Sequence, residues 1–169
     1  MLSRVEKFEA ALAQTECDAI LVTNLKNIYY LTGFSGTEAT VFISKKRRIF
    51  LTDSRYTLIA KGVVEGFDIV ETRDAVGEIA KIIADDKLAK IGFDDEISYA
   101  YFKMLESVFA GHELVPMTGF IENLRMIKDE QEIATIRKAC QISDQAFLDV
   151  LDFIKPGETT ELAVMNFLD

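Results

Sequence analysis

The sequence predicts an α/β fold built on a mixed, largely parallel sheet with helices on both faces. Short, continuously apolar runs, of which Asp18–Thr23 is the first, are typical of strands covered on both faces. These runs alternate with segments whose apolar residues recur at helical spacing. Two β-rich runs, Ala39–Ser44 and Arg48–Thr52, flank a basic turn and add an antiparallel hairpin. Strands that alternate with helices favour a layered α/β domain over an all-β or all-α one.

The first helix and the segment after the first strand are predicted from local signals. Ser3, followed three residues later by Glu6, is a capping-box signature, and we expect this helix to end near Gln14 or Thr15. Asn27–Leu31 is expected to form a helical turn anchored in the core. Its anchoring residues are Ile28, Tyr30 and Leu31. Glycines 33 and 36 then break the regular structure and leave Ser35, Thr37 and Glu38 in a loop.

Beyond the hairpin, the pattern repeats helix and strand. Asp53 and Ser54 are typical of a helix N-cap, and we expect this helix to bury Tyr56, Leu58, Ile59 and Val63. Strands are predicted at 69–72, 90–93 and 113–116, and helices at 75–84 and 98–109.

A long helix is predicted from Asp129, with one continuous apolar stripe. Lys155, Pro156 and Gly157 are expected to end it, and Thr159 or Thr160 to cap another helix. Little chain remains to cover the stripe, so we expect these residues to open a second domain of which the sequence holds only the beginning.

Composition excludes several functional classes. The 169 residues carry 28 acidic and 19 basic side chains, and a net charge of -9 disfavours nucleic acid as a partner. No apolar run approaches the roughly 20 residues of a membrane helix, and no signal-peptide core follows the N-terminus. Cys17 and Cys140 lie far apart without a CxxC partner, so neither a zinc knuckle nor a disulfide framework is indicated. A cytoplasmic protein without membrane contact is expected.

No complete set of catalytic residues is found. The zincin, P-loop, nucleophile-elbow and dinucleotide motifs are absent, and His112 has no nucleophile near it in sequence. Asp94, Asp95 and Glu96 follow a predicted strand, where carboxylates can bind a divalent metal. Asp95, Glu96 and Ser98 fit loop and capping positions before a helix better than a metal site. Asp53 and Arg55 either hold each other or bind a substrate carboxylate; with Tyr56, Arg55 offers bidentate and stacking contacts.

Four segments, in order along the chain, resemble the creatinase, prolidase and aminopeptidase P family. They are Asn27–Gly36, Leu51–Tyr56, Leu124–Ile133 and Ile154–Glu161. The resemblance divides the chain into a creatinase/prolidase N-terminal domain at 1–125 and the beginning of the metallopeptidase catalytic domain, which has the so-called pita-bread fold, at 126–169. It also implies an RNase H-like fold for the first of these.

The resemblance implies a function for the whole protein. Members are cytosolic Xaa-Pro peptidases that hydrolyse the bond before proline with two divalent ions, Mn²⁺ being expected. Their metal ligands all follow residue 169, so neither catalytic nor metal-binding residues are expected in this segment. The N-terminal domain is expected to form a homodimer and to shape the partner subunit's substrate site. The expected contact residues are Phe34, Ser35, Thr37, Glu38, Arg55 and Tyr56.

Three interpretations stay open. The first is an Xaa-Pro peptidase, in which the Gly-Phe-Ser-Gly form of the loop at 33–36 resembles aminopeptidase P more than a dipeptidase (prolidase). A relative without catalytic activity that binds peptides or proteins is the second class. An RNase H-like nuclease using Asp53, Asp94 and Asp95 is the third, and the negative net charge disfavours it.

Overall fold

The computed structural model describes residues 3–155, 157, 160, 161 and 165. Within that part, the strands are β1 (Ala19–Val22), β2 (Thr40–Ser44), β3 (Arg48–Thr52), β4 (Asp68–Glu71), β5 (Lys90–Phe93) and β6 (Glu113–Pro116). The helices are α1 (Arg4–Leu12), α2 (Leu25–Thr32), α3 (Thr57–Val63), α4 (Ala75–Asp86), α5 (Tyr99–Val108), α6 (Phe120–Met126) and α7 (Glu130–Phe153). The chain divides into two compact units, Met1–Met126 and Ile127–Asp169.

A six-stranded sheet in the order β4-β3-β2-β1-β5-β6 forms the first unit. Strand β2 pairs antiparallel with both of its neighbours, whereas every other pairing is parallel. The carboxyl ends of five strands therefore lie at one edge of the sheet, together with the beginning of β2. The predicted mixed, mostly parallel sheet is confirmed.

Two apolar clusters cover the two faces of the sheet, because successive side chains of a strand point to opposite sides. In β1, Ile20 and Val22 join one cluster, and Ala19 and Leu21 join the other. Helices α1, α2, α3 and α6 contribute to the first cluster, and α4 and α5 to the second. Strand β1 is buried along its whole length, which explains its continuously apolar sequence.

Several local predictions are confirmed by their caps. The Ser3 hydroxyl accepts the Glu6 amide, and the Glu6 carboxylate accepts the Ser3 amide, which together form the capping box of α1. The Ser98 hydroxyl caps α5 by accepting the Tyr101 amide. The basic run turns between β2 and β3, and two of its arginines are ion paired. Arg47 binds Asp86, and Arg48 binds Glu9 through two bonds of 2.6 and 2.7 Å.

The prediction for α3 is wrong in its start and in most of its buried face. The helix begins at Thr57 with Tyr56 at the N-cap position, where no side chain caps it. The Asp53 carboxylate instead accepts the backbone amide and the guanidinium of Arg55. Ala60 is buried and Tyr56 is half-buried against the first cluster, whereas the other apolar residues expected inside are exposed. Their exposed fractions are 83% for Leu58, 53% for Ile59 and 44% for Val63.

The sequence did not predict α6, which packs Ile121 into the first cluster. The long helix predicted from Asp129 is confirmed as α7, with a capping box between Asp129 and Glu132. Several of its large apolar residues, among them Phe147 and Leu148, are exposed. Of the predicted helix end and second cap, Pro156 and Thr159 lie outside the described residues. No helix among the described residues is long and apolar enough to cross a membrane.

Candidate functional site

The loop between α2 and β2 lies at the edge of the sheet where β3 and β4 end. Asn24 caps α2 by accepting the amides of Lys26 and Asn27, and Gly33 ends that helix in the left-handed conformation with φ 74°. Glycine adopts this conformation without the steric cost that a Cβ brings. The chain therefore leaves α2 abruptly and turns back toward β2.

Phe34 fastens this loop to the core. Its side chain is 1% exposed and meets two aromatic rings edge to face, at centroid distances of 5.0 Å to Phe50 and 5.7 Å to Tyr56. Of the six expected contact residues, Phe34 does not reach the surface. It anchors the loop to the core instead.

The exposed part of the loop is Ser35, Thr37 and Glu38. The Thr37 hydroxyl and the Tyr56 hydroxyl lie 2.9 Å apart and share a hydrogen bond. The Thr52 hydroxyl donates to the backbone carbonyl of Glu38 at 2.6 Å. These bonds hold the loop backbone while the Glu38 side chain stays in solvent.

Asp53 and Arg55 do hold each other. Arg55 donates its backbone amide to Oδ1 of Asp53 at 2.9 Å, and donates Nε and Nη2 to Oδ2 at 2.8 and 2.6 Å. The guanidinium also lies 5.5 Å from the centroid of the Tyr56 ring. The hydrogen bond from the Arg55 side chain is the main reason that the pKa of Asp53 is lowered.

A cleft of about 360 Å³ lies beside this pair, at the carboxyl ends of β3 and β4. The parallel register pairs Thr52 with Glu71, so the residues that follow the two strands meet there. The cleft is lined by Glu38, Asp53, Arg55, Thr72, Arg73 and Ala75, among others. It joins two of the expected contact residues, Glu38 and Arg55, to Arg73, which sequence reasoning missed.

The chain matches a known protein family. The family model of the creatinase/prolidase N-terminal domain covers residues 4–127. The chain belongs to that family. The predicted resemblance is thereby confirmed for the first unit.

Relatives and solved structures agree with the family assignment. The uncharacterized peptidase YqhT of Bacillus subtilis is 34% identical over 168 residues, which cover 98% of this chain and 47% of the relative. The solved aminopeptidase P of Streptococcus thermophilus is 56% identical, with a TM-score of 0.71 over 72% of this chain and 95% of that one. The Xaa-Pro dipeptidase of Bacillus anthracis is 35% identical, with a TM-score of 0.87 over 98% of this chain and 46% of that one. The chain thus spans about half the length of the curated relatives it matches.

This creatinase/prolidase N-terminal domain has a second polar cluster, where β1 and β5 end. Helix α2, which follows β1, packs on one face of the sheet, and α5, which follows β5, packs on the other. Ligands of open α/β sheets bind in the crevice that such a divergence leaves. Here Asp94 fills it, accepting the amides of Thr23 and Asn24 at 2.6 and 2.8 Å.

The Asn27 side chain completes this cluster. Its amide nitrogen donates to Asp94 at 3.2 Å and to Glu122 of α6 at 2.7 Å, and its oxygen accepts Arg125 at 2.9 Å. Burial is the main reason that the pKa of Asp94 is raised. The cluster joins β1, β5, α2 and α6, which gives Asp94 a structural role. Sequence reasoning had named Asp94 only as a member of an acidic cluster, because the pairing with Asn27 is not visible in the sequence.

The family implies a metal pair, and the described residues do not fit one. Among them, no group of three or more His, Cys, Asp or Glu side chains could hold a metal ion. Asp53 is bound by Arg55, and Asp94 by backbone amides. These described residues therefore support no metal-dependent step.

Proposed function

We propose that this chain is the N-terminal domain, with the beginning of the catalytic domain, of a cytoplasmic Xaa-Pro aminopeptidase. The whole enzyme would hydrolyse the bond before proline in peptides with two divalent metal ions, Mn²⁺ being expected. The observation that carries the proposal is the 56% identity to the Streptococcus thermophilus aminopeptidase P across 95% of that solved chain. In this proposal α7 is the first helix of the catalytic domain, and residues 1–125 and 126–169 are the two domain segments.

The role proposed for the first domain is to shape the substrate site of a partner subunit in a homodimer. The loop supports this role, because it is rigid at its base and polar at its tip. Phe34 and the backbone of Glu38 are fixed, whereas Ser35, Thr37 and the Glu38 carboxylate face solvent. A rigid loop loses little conformational entropy when it meets a partner.

Helix α3 supports the proposed homodimer. Leu58 and Ile59 are neighbours on a helix that covers little of the core, and their exposed fractions of 83% and 53% are high for large apolar side chains. Leu58→Glu should leave the fold unchanged and lower the mass measured by light scattering from that of a dimer to that of a monomer. Lys103→Glu, at an exposed position of α5 on the other face of the sheet, is the control. A wild-type protein that is monomeric at high concentration would contradict this part of the proposal.

A dipeptidase is the alternative activity. The match to the Bacillus anthracis Xaa-Pro dipeptidase favours it, since that match covers 98% of this chain with a TM-score of 0.87. The alternative that is not an enzyme is a relative that binds peptides without cleaving them.

The experiment compares two substrates. The full-length protein, loaded with Mn²⁺, is assayed on a Gly-Pro dipeptide and on an Xaa-Pro tripeptide, and bound metal is measured in parallel. Cleavage of the tripeptide supports the aminopeptidase, and cleavage of the dipeptide alone supports the dipeptidase. A metal-free protein without either activity supports the binding relative. The 169-residue chain by itself should cleave neither, and Mn²⁺-dependent cleavage by it would overturn the proposed location of the active site.

A further inference from the structure

A cavity of about 440 Å³ lies at the end of β3 away from the cleft, beside the basic turn between β2 and β3. Such a volume suits a small ligand. Four of the side chains in its wall are cationic and one is anionic. The wall consists of Glu9, Leu12, Ser44, Lys45, Lys46, Arg47 and Arg48. None of the expected substrate-contact residues belongs to it.

Both arginines of this wall are already occupied by carboxylates. Arg47 donates Nε and Nη2 to the two oxygens of Asp86 at 2.9 and 3.1 Å. Arg48 donates the same two nitrogens to the two oxygens of Glu9 at 2.6 and 2.7 Å. The planar, two-donor edge that a guanidinium offers to a carboxylate is therefore used in each arginine.

The two lysines of the wall keep their charge for a ligand. Lys45 is exposed, and its ammonium makes no hydrogen bond or ion pair within the described residues. Lys46 lies 3.7 Å from a carboxylate oxygen of Asp86, which Arg47 already holds more closely. The four cations of the turn and their two carboxylates leave two positive charges, in a chain whose net charge is -9. The wall therefore favours an anion.

Ser44 adds a buried donor to the two lysines. Its side chain is 3% exposed, and its Oγ accepts the backbone amides of Lys46 and Arg47 at 3.2 and 3.1 Å. A hydroxyl that accepts two hydrogen bonds still has one proton to donate. No acceptor for this proton occurs within the described residues, and Ser44 lines the cavity. An oxygen atom of a bound ligand would satisfy it.

The donors that remain favour a phosphate over a carboxylate. An ammonium group binds phosphate as a compact point charge, whereas the guanidinium edges that match a planar carboxylate are taken. A phosphate monoester carries a charge of about -1.5 to -2 at neutral pH, which matches the two uncompensated lysines. The wall contains no aromatic ring on which a base could stack, and this disfavours a nucleic acid.

We propose that this cavity binds the phosphate group of a small phosphate monoester, with Lys45 and Lys46 neutralising its charge and the Ser44 hydroxyl donating to one of its oxygens. Arg47 and Arg48 stay with Asp86 and Glu9 and hold the turn in place around the ligand. The site lies at the opposite edge of the sheet from the cleft, so it is independent of the proposed peptidase activity.

The test is a titration of the isotope-labelled 169-residue chain followed by NMR. Glycerol 3-phosphate should shift the backbone amides of residues 44–48, and inorganic phosphate should compete for the same site. Malonate, a dianion with two carboxylates, should bind about tenfold more weakly, a difference of about 1.4 kcal/mol. AMP should bind as tightly as glycerol 3-phosphate, because the phosphate is the group recognised.

Variants locate the site. Lys45→Gln should weaken the binding of glycerol 3-phosphate about tenfold and keep the fold, since the Lys45 ammonium has no partner within the described residues. Lys26→Gln is the matched control: it removes an exposed cation from α2, at the edge of the sheet where the cleft lies, and should leave the affinity unchanged. Ser44→Ala would also release the two amides of the turn, so the lysine variant is the cleaner measurement.

Four results would each overturn the proposal. They are the absence of binding by the wild type, malonate binding as tight as that of glycerol 3-phosphate, AMP binding more than about tenfold tighter than either phosphate probe, and wild-type affinity in Lys45→Gln. No cleavage is measured, so a negative result here leaves the peptidase proposal to its own assay.

Discussion

Gly36 lies directly against the ring of Phe34: a Cβ on Gly36 would fall 2.3 Å from Cζ and 2.6 Å from Cε1 of that ring. The ring cannot move aside easily, because it is 1% exposed and packed against Phe50 and Tyr56. The glycine is therefore required by the aromatic packing under the loop.

Gly36→Ala is expected to destabilise the fold by about 1–3 kcal/mol, the usual cost of overpacking a well-filled core. The measurement is the free energy of unfolding from urea denaturation. Gly62→Ala is the matched control, because a Cβ there meets nothing within 4 Å and alanine favours the helix by up to about 1 kcal/mol. Equal stabilities of the two variants would show that the Phe34 ring is mobile.

Asp94 should make stability depend on pH. Its pKa is raised in the folded protein above the ordinary value of 3.8, chiefly by burial, so the folded state binds this proton more tightly than the unfolded state. The stabilisation is fully present below 3.8 and is lost as pH rises through the folded pKa. The free energy of unfolding of the wild type should therefore rise relative to that of Asp94→Asn as pH falls. A constant difference between the wild type and Asp94→Asn across this pH range would refute the argument.

Removing the Arg55 side chain should raise the pKa of Asp53. The hydrogen bond from that side chain is the largest cause of the lowered value, while the backbone amide of Arg55 lowers it less. Carbon-detected NMR titration of the Asp53 carboxyl in Arg55→Ala should give a value closer to 3.8 than in the wild type. An unchanged titration would mean that the pair is broken in solution.

Glu38→Ala tests the proposed role of the loop in the full-length enzyme. The substitution should change KM or the preference for substrate length and leave metal content intact, because the Glu38 side chain is exposed and the hydrogen bond from Thr52 is accepted by the Glu38 backbone carbonyl. Thr37→Val, which removes the hydrogen bond to Tyr56, is the comparison for a loosened loop. Unchanged kinetics of Glu38→Ala on di- and tripeptides would refute the proposed contact with substrate.

Local signals in the sequence predicted much of the fold. Ser3 with Glu6, Ser98, and the apolar run of β1 each act over a few residues, and the structure confirms them. The start of α3 was missed for a local reason as well. Two groups compete for the Asp53 carboxylate, and Arg55 binds it in place of the helix amides.

The residues of the cleft were predicted only in part, for a physical reason. Glu38 and Arg55 lie in or next to two segments that the sequence analysis singled out, Asn27–Gly36 and Leu51–Tyr56. Arg73, by contrast, reaches the cleft because β3 and β4 pair in parallel. Asp94 and Asn27 are likewise joined by the pairing of β1 with β5. Such contacts depend on register between strands, which no spacing along the chain reveals.

The antiparallel strand β2 has a consequence for the order of folding. Strand β2 pairs with β1 and with β3, which are its neighbours along the chain. By contrast, β1 and β5 pair residues that are far apart in sequence, such as Ile20 and Gly92. Contacts between near neighbours close short loops and form fast, while distant pairings bear a larger entropic cost. We expect the amides of Phe42 and Phe50 to gain protection from hydrogen exchange before that of Ile91 during refolding. The cleft would then take shape on a hairpin that is already in place.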